Sequence, residues 1–107
     1  MELTETDKNG YRVIAFSGSL DTGTSPAVEK RVNECIDSGE LKFIFNFEQT
    51  KYMSSSGLRV LLATAKKLRG KGELRISNLN SVIEEVFDVS GFSSILNVYT
   101  TEEQALN

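Results

Sequence analysis

Leu41-Lys42-Phe43-Ile44-Phe45-Asn46-Phe47 leads into Tyr52-Met53-Ser54-Ser55-Ser56-Gly57-Leu58 and then into a helical run from Arg59 to Leu68. Leu41, Phe43, Phe45 and Phe47 fall on one face of a strand and Ile44 on the other, as expected for a strand covered on both sides. Fully buried, four such groups contribute about 6–12 kcal/mol at about 1.5–3 each. Behind the serines, Leu58, Leu61, Leu62, Ala65 and Leu68 recur at helical spacing. A doubly covered strand joined through a polar loop to an amphipathic helix is the building unit of an α/β sheet. Three hydroxyls stand where the helix begins. A helix start offers unpaired N–H groups and a partial positive charge, so it stabilises an anion placed there. Serines at such a junction serve as N-caps or as phosphate acceptors, and the local sequence leaves both open.

On the C-terminal side, Lys66, Lys67, Arg69 and Lys71 gather where cations complement the helix dipole and read as a solvated cap. Gly70 and Gly72 supply the stop and turn before a short strand, Leu74 to Ser77. Ser81-Val82-Ile83-Glu84 has the spacing of a capping box, with Val82, Ile83, Val86 and Phe87 as the buried face of a helix that Gly91 ends. Ile95 to Tyr99 reads as a last edge strand, and Thr100 to Gln104 as the cap of a final helical turn. On the N-terminal side, residues 2–9 form a short edge strand ending at the turn signal Asn9-Gly10. Tyr11 to Ser17 is the next strand, and Gly18 to Thr24 a polar, glycine-punctuated loop. In that loop Asp21 either closes a turn or faces a neighbouring site. Ser25 and Pro26 start a helix as N-cap and first helical residue, with Val28, Val32, Cys35 and Ile36 as its inward stripe and Gly39 as its end. Cys35 on that stripe reads as a small buried hydrophobe.

The fold class that follows is α/β: one domain over residues 1–107, a small mixed β-sheet with helices packed over it. The loop after the first long strand and the serine cluster both lie at strand-to-helix crossovers. Crevices at the carboxyl ends of strands are favoured functional positions, so the two loops are expected to adjoin.

Composition narrows the chemistry. A net charge of −3 and a pI near 5.0 leave no basic excess to displace counterions from nucleic acid. A single cysteine permits no intramolecular disulfide and points to a reducing compartment. No apolar run approaches the roughly 20 residues of a membrane span. The polar, acidic N-terminus is unlike a targeting peptide, so the expected location is the cytoplasm. The chain has no histidine, which excludes Ser–His triads, His-ligated metal sites and histidine general bases. One cysteine cannot build a thiolate zinc cage, and no glycine-rich phosphate loop opens a helix. No metal or cofactor is expected. An enzyme would have to use carboxylate, lysine or serine chemistry. The one lysine near the serines is Lys51, a poor base unless buried.

Ser17-Gly18-Ser19-Leu20-Asp21, Phe45-Asn46-Phe47-Glu48, Tyr52 to Leu58, Val60-Leu61-Leu62, Gly72 to Ser77 and Ser90-Gly91-Phe92 stand in an order and spacing that resemble STAS domain proteins. The chain resembles in particular the stand-alone anti-sigma factor antagonists of bacterial partner-switching systems, over essentially its whole length. The resemblance implies a protein that is not an enzyme and that, unphosphorylated, binds an anti-sigma factor serine kinase and so frees a sigma factor. Phosphorylation of one serine ends the binding, and a phosphoserine phosphatase restores it. The family motif is usually Asp-Ser-(Ser/Thr)-Gly with the first serine modified, which falls on Ser55, with Ser56 as the less favoured acceptor. The implied partner surface is Asp21, Thr22, Ser54, Ser55, Ser56, Gly57 and Arg59, with Asp21 near the acceptor and contacting the kinase or its magnesium. Three positions depart from the pattern: Ser54 replaces the motif's Asp, Arg59 stands where glycine is frequent, and Ser19 where many relatives are acidic. The alternative within the resemblance is a STAS subunit of a lipid-transport or other complex, binding constitutively through the same surface.

Overall fold

Asn9 and Gly10, both with positive φ (52° and 83°), turn the chain back on itself. β1 (Glu2–Lys8) thereby pairs antiparallel with β2 (Tyr11–Leu20), from Glu2↔Ser17 to Lys8↔Tyr11, in the computed structural model, which describes residues 1–107. Every other pairing is parallel: β3 (Lys42–Asn46) on β2, β5 (Glu73–Ser77) on β3, and β6 (Asn97–Tyr99) on β5. The order is β1-β2-β3-β5-β6, and β4 (Thr50–Met53) lies off this path, paired with the far end of β2. The result is a mixed six-stranded sheet with four helices, α1 (Ser25–Asp37), α2 (Ser55–Leu68), α3 (Ser81–Ser90) and α4 (Glu102–Leu106).

The sheet buries both faces unequally. On one, Ile14, Phe16 and Leu20 of β2 and the row Phe43, Phe45, Phe47 meet the inward stripes of α1, α2 and α3 in a continuous core. On the other, Tyr11, Val13 and Ile44 close over Ala105 of the short α4. The division of Phe43, Phe45 and Phe47 from Ile44 is the one that the alternation in this strand predicts. Cys35 is buried on the α1 stripe, and burial pushes its thiol above the ordinary value.

Local details refine or overturn the sequence expectations, each for a physical reason. α2 begins at Ser55, at the serine cluster where the sequence places a helix start. The structure settles the cap that the sequence left open: Ser54 turns extended (φ −90°, ψ 173°) and holds that position. β2 runs on through Gly18-Ser19-Leu20, with a register shift between Gly18 and Ser19, because β4 offers it a partner. Ser25 is the first residue of α1 and not its N-cap, which is Thr24; the Ser25 hydroxyl donates to the Asp21 carbonyl at 2.5 Å. The Ser81–Glu84 box does not form either. Asn80 takes the cap, its Oδ1 accepting from the Ile83 amide at 3.0 Å. Only Ile83 and Phe87 of α3 are buried, while Val86 is partly buried and Val82 is 52% exposed. Adjacent helical residues point about 100° apart, so Val82 cannot share the narrow face of Ile83.

Candidate functional site

The serine motif is pinned before it starts. Met53 ends β4 opposite Leu20, and the Ser54 amide then donates to the Leu20 carbonyl at 2.9 Å. From this fixed point the Ser54 hydroxyl accepts from the Gly57 amide at 3.3 Å, and the Ser54 carbonyl accepts from the Leu58 amide at 3.0 Å. That is the geometry of an N-cap, so of the three hydroxyls Ser54 is the one spent on structure. Ser55 follows as the first helical residue and is exposed. Ser56 is half-buried, its hydroxyl 3.2 Å from that of Thr22. The amides of Ser55 and Ser56 belong to the first turn, where no carbonyl four residues back within the helix can accept them.

Gly57 makes this arrangement possible. A Cβ on it would lie 2.8 Å from both Cγ and the carbonyl oxygen of Leu20, so a side chain there would push the end of β2 away. The close approach brings the β2–α1 turn against the start of α2, and the Thr22–Ser56 contact joins loops 34 residues apart. The two crossovers adjoin as their places in the topology predict.

Asp21 closes that turn. Its Oδ1 accepts from the amides of Gly23 (2.9 Å) and Thr24 (3.0 Å), while the Thr24 hydroxyl accepts from the Asp21 amide and donates to the Ser19 carbonyl. The short carboxylate mimics a backbone turn. Lys51 is exposed on β4, so the desolvated lysine that serine–lysine nucleophilic chemistry requires is not formed.

Two shallow grooves flank the start of α2. One, of about 240 Å³, lies between α1 and α2 and is bordered by Thr22, Pro26, Glu29, Ser56 and Arg59. The other, of about 290 Å³, lies towards α3 and is bordered by Ser55, Leu58, Leu62, Ser90, Phe92 and again Arg59. Ser55 and Ser56 therefore open onto different grooves, and Arg59 stands between them. Ser90 and Phe92 were not among the residues expected at this surface. Gly91 places them there: as a left-handed C-cap (φ 75°) it turns the chain at the end of α3 so that Phe92 packs back on Phe87, ring centroids 6.2 Å apart. The Ser90-Gly91-Phe92 piece was already part of the resemblance, but nothing local marks it as near Ser55.

A protein-family model described as the STAS domain matches residues 1–105. BtrV of Bordetella bronchiseptica is 34% identical over 106 residues, 98% of this chain and 91% of that protein. An anti-sigma F factor antagonist of Paenibacillus polymyxa is 31% identical over 108 residues, covering 99% and 92%. Among solved structures, an anti-sigma factor antagonist from Mycobacterium paratuberculosis superposes with a TM-score of 0.91 at 22% identity, covering 98% of this chain and 90% of that one. The Bacillus cell fate determinant SpoIIAA in its phosphorylated form superposes with a TM-score of 0.74 at 25% identity, covering 98% and 96%.

Proposed function

The chain belongs to the STAS domain family, and we propose that it acts there as an anti-sigma factor antagonist regulated at Ser55. In its unphosphorylated form it binds an anti-sigma factor that is also a serine kinase, and the sigma factor is released. The kinase then moves the γ-phosphoryl group of ATP to the Ser55 oxygen, the hydroxyl proton is lost, ADP leaves and the complex separates. A phosphoserine phosphatase resets the cycle. The partner surface is Ser54, Ser55, Ser56, Gly57 and Arg59 at the start of α2, with Asp21 and Thr22 in the turn beside it. The protein works in the cytoplasm without touching nucleic acid itself, and no helix is long and apolar enough to cross a membrane.

The observation that carries this reading is the placement of Ser55, exposed on the first residue of a capped helix in a chain related to a named anti-sigma F factor antagonist. Phosphate there adds about 1.5–2 negative charges, which the helix dipole accepts, so the fold survives while the surface changes sign. A partner that presents carboxylates or apolar surface is then repelled and pays desolvation. Moving an equilibrium from 99% to 1% takes about 5.5 kcal/mol of differential affinity, a demanding but attainable effect for one phosphate in a tight interface.

The test is peptide mapping by mass spectrometry of the wild type and Ser55→Ala after incubation with ATP and each small ATPase-type kinase of the source genome. One phosphate on Ser55, absent from the variant and accompanied by loss of kinase binding, is the expected result. Phosphate on Ser56 or Ser54 would move the acceptor. No phosphate with any kinase would replace this reading with constitutive binding as a subunit of another complex.

A further inference from the structure

Arg59 is the only cation in the first two turns of α2, and it joins none of the ion pairs that hold the rest of the surface. It stands one turn after Ser55, at i+4, and borders the groove that Ser55 opens onto. It also borders the groove on the other side, with Ser56 and the carboxylate of Glu29. Residues at i and i+4 of a helix have Cβ atoms roughly 5–6 Å apart, and an anion placed before its cation is the favoured order.

We propose that Arg59 is an internal phosphate clamp. Once Ser55 carries phosphate, the guanidinium turns into the α2–α3 groove and pairs with the phosphate oxygens through charge-assisted hydrogen bonds. Glu29 offers one negative charge from the opposite groove; the phosphate offers about 1.5–2 from the same helix and wins. The arginine stem then lies across the apolar floor formed by Leu58, Leu62 and Phe92. Phosphorylation thus does two things at once: it adds charge at the helix start and roofs the groove beside it. Any helix start supplies free amides; the arginine one turn on is what this chain adds. The inference rests on the reading of Ser55 as the acceptor.

The experiment places phosphoserine at position 55 of the full chain during translation, so it needs no kinase. The second ionisation of the phosphate is followed by ³¹P NMR in the wild type, Arg59→Gln and Arg59→Lys. Pairing favours the dianion, so the wild-type phosphate should titrate lower than that of Arg59→Gln by roughly 0.15–0.4 pH unit at low salt. The gap should shrink at 1 M salt, where the screening length is about 3 Å. Arg59→Lys should keep part of the shift, since it keeps the charge and loses the planar fork. Helix amides act equally in all three proteins and cancel in the comparison. Identical titration of the wild type and Arg59→Gln at low salt overturns the clamp, even if a kinase is found for Ser55. A clear gap sustains the clamp even if no kinase is found, in which case only the regulatory reading falls.

Discussion

Gly57 has no space for a methyl group, and at this position two residue-scale effects oppose each other. In an exposed helix, alanine is preferred over glycine by about 1 kcal/mol. Here the added Cβ would sit 2.8 Å from the Leu20 carbonyl oxygen, a backbone atom already held by the Ser54 amide, and 2.8 Å from Leu20 Cγ. Neither can retreat without moving the end of β2. Gly57→Ala should therefore destabilise by about 1–3 kcal/mol, read as a fall in the urea midpoint. A midpoint equal to or above that of the wild type would mean that β2 yields easily and that the glycine is not what holds the two crossovers together. Asp21 follows the same logic: two amides on one carboxylate oxygen give it a structural task whatever it also does for a partner.

At the scale of the element, α3 carries a sharp internal contrast. Ile83 and Phe87 are fully buried against the core, whereas Val82 is 52% and Val89 84% exposed. Ile83→Ala should cost about 2–5 kcal/mol and Val82→Ala less than about 0.5, both measured by denaturant unfolding. Comparable costs would show that the outward valines pack against something in solution. The same helix shows what could be read in advance. Its existence and its end at Gly91 were legible, because apolar spacing and a left-handed glycine stop are local signals. Its cap was not: Asn80 and Ser81 are both good N-caps, and only the fold decides between them. β4 was invisible for a related reason. Thr50-Lys51-Tyr52-Met53 is too short for periodicity, and it is a strand only through its long-range pairing with the end of β2. The serine cluster was located correctly, since three hydroxyls before a helical stripe mark a helix start, but which of them caps depended on the unseen Leu20 anchor.

At the scale of the molecule, the long-range ion pairs and hydrogen bonds of three carboxylates decide how the fold answers acid. Glu5 of β1 takes Arg31 of α1 in a two-pronged pair (2.6 and 2.7 Å) and Arg12 of β2 at 2.9 Å. The Arg31 hydrogen bond is the main reason that its carboxyl lies below the ordinary value. Glu73 is lowered chiefly by the Tyr11 hydroxyl, which donates at 2.7 Å, and Glu102 chiefly by Lys8, which donates at 2.7 Å. Each of the three holds its proton less tightly in the folded state than in the unfolded chain. Their contribution is therefore fully present above the unfolded value of about 4.5 and is lost as pH falls through the lower folded values. Between about pH 5.5 and 8 no side chain has an ordinary value: there is no histidine, and the buried Cys35 thiol is pushed further up. The urea midpoint should accordingly stay level across that interval and drop steeply below about pH 4.5. Glu5→Gln separates this linkage from general acid repulsion. The substitution should destabilise at pH 7 and cost distinctly less at pH 3, where the wild-type carboxylate is itself being protonated. An equal cost at both pH values would mean that the Glu5–Arg31–Arg12 contacts hold the first strands to α1 by packing and not by charge.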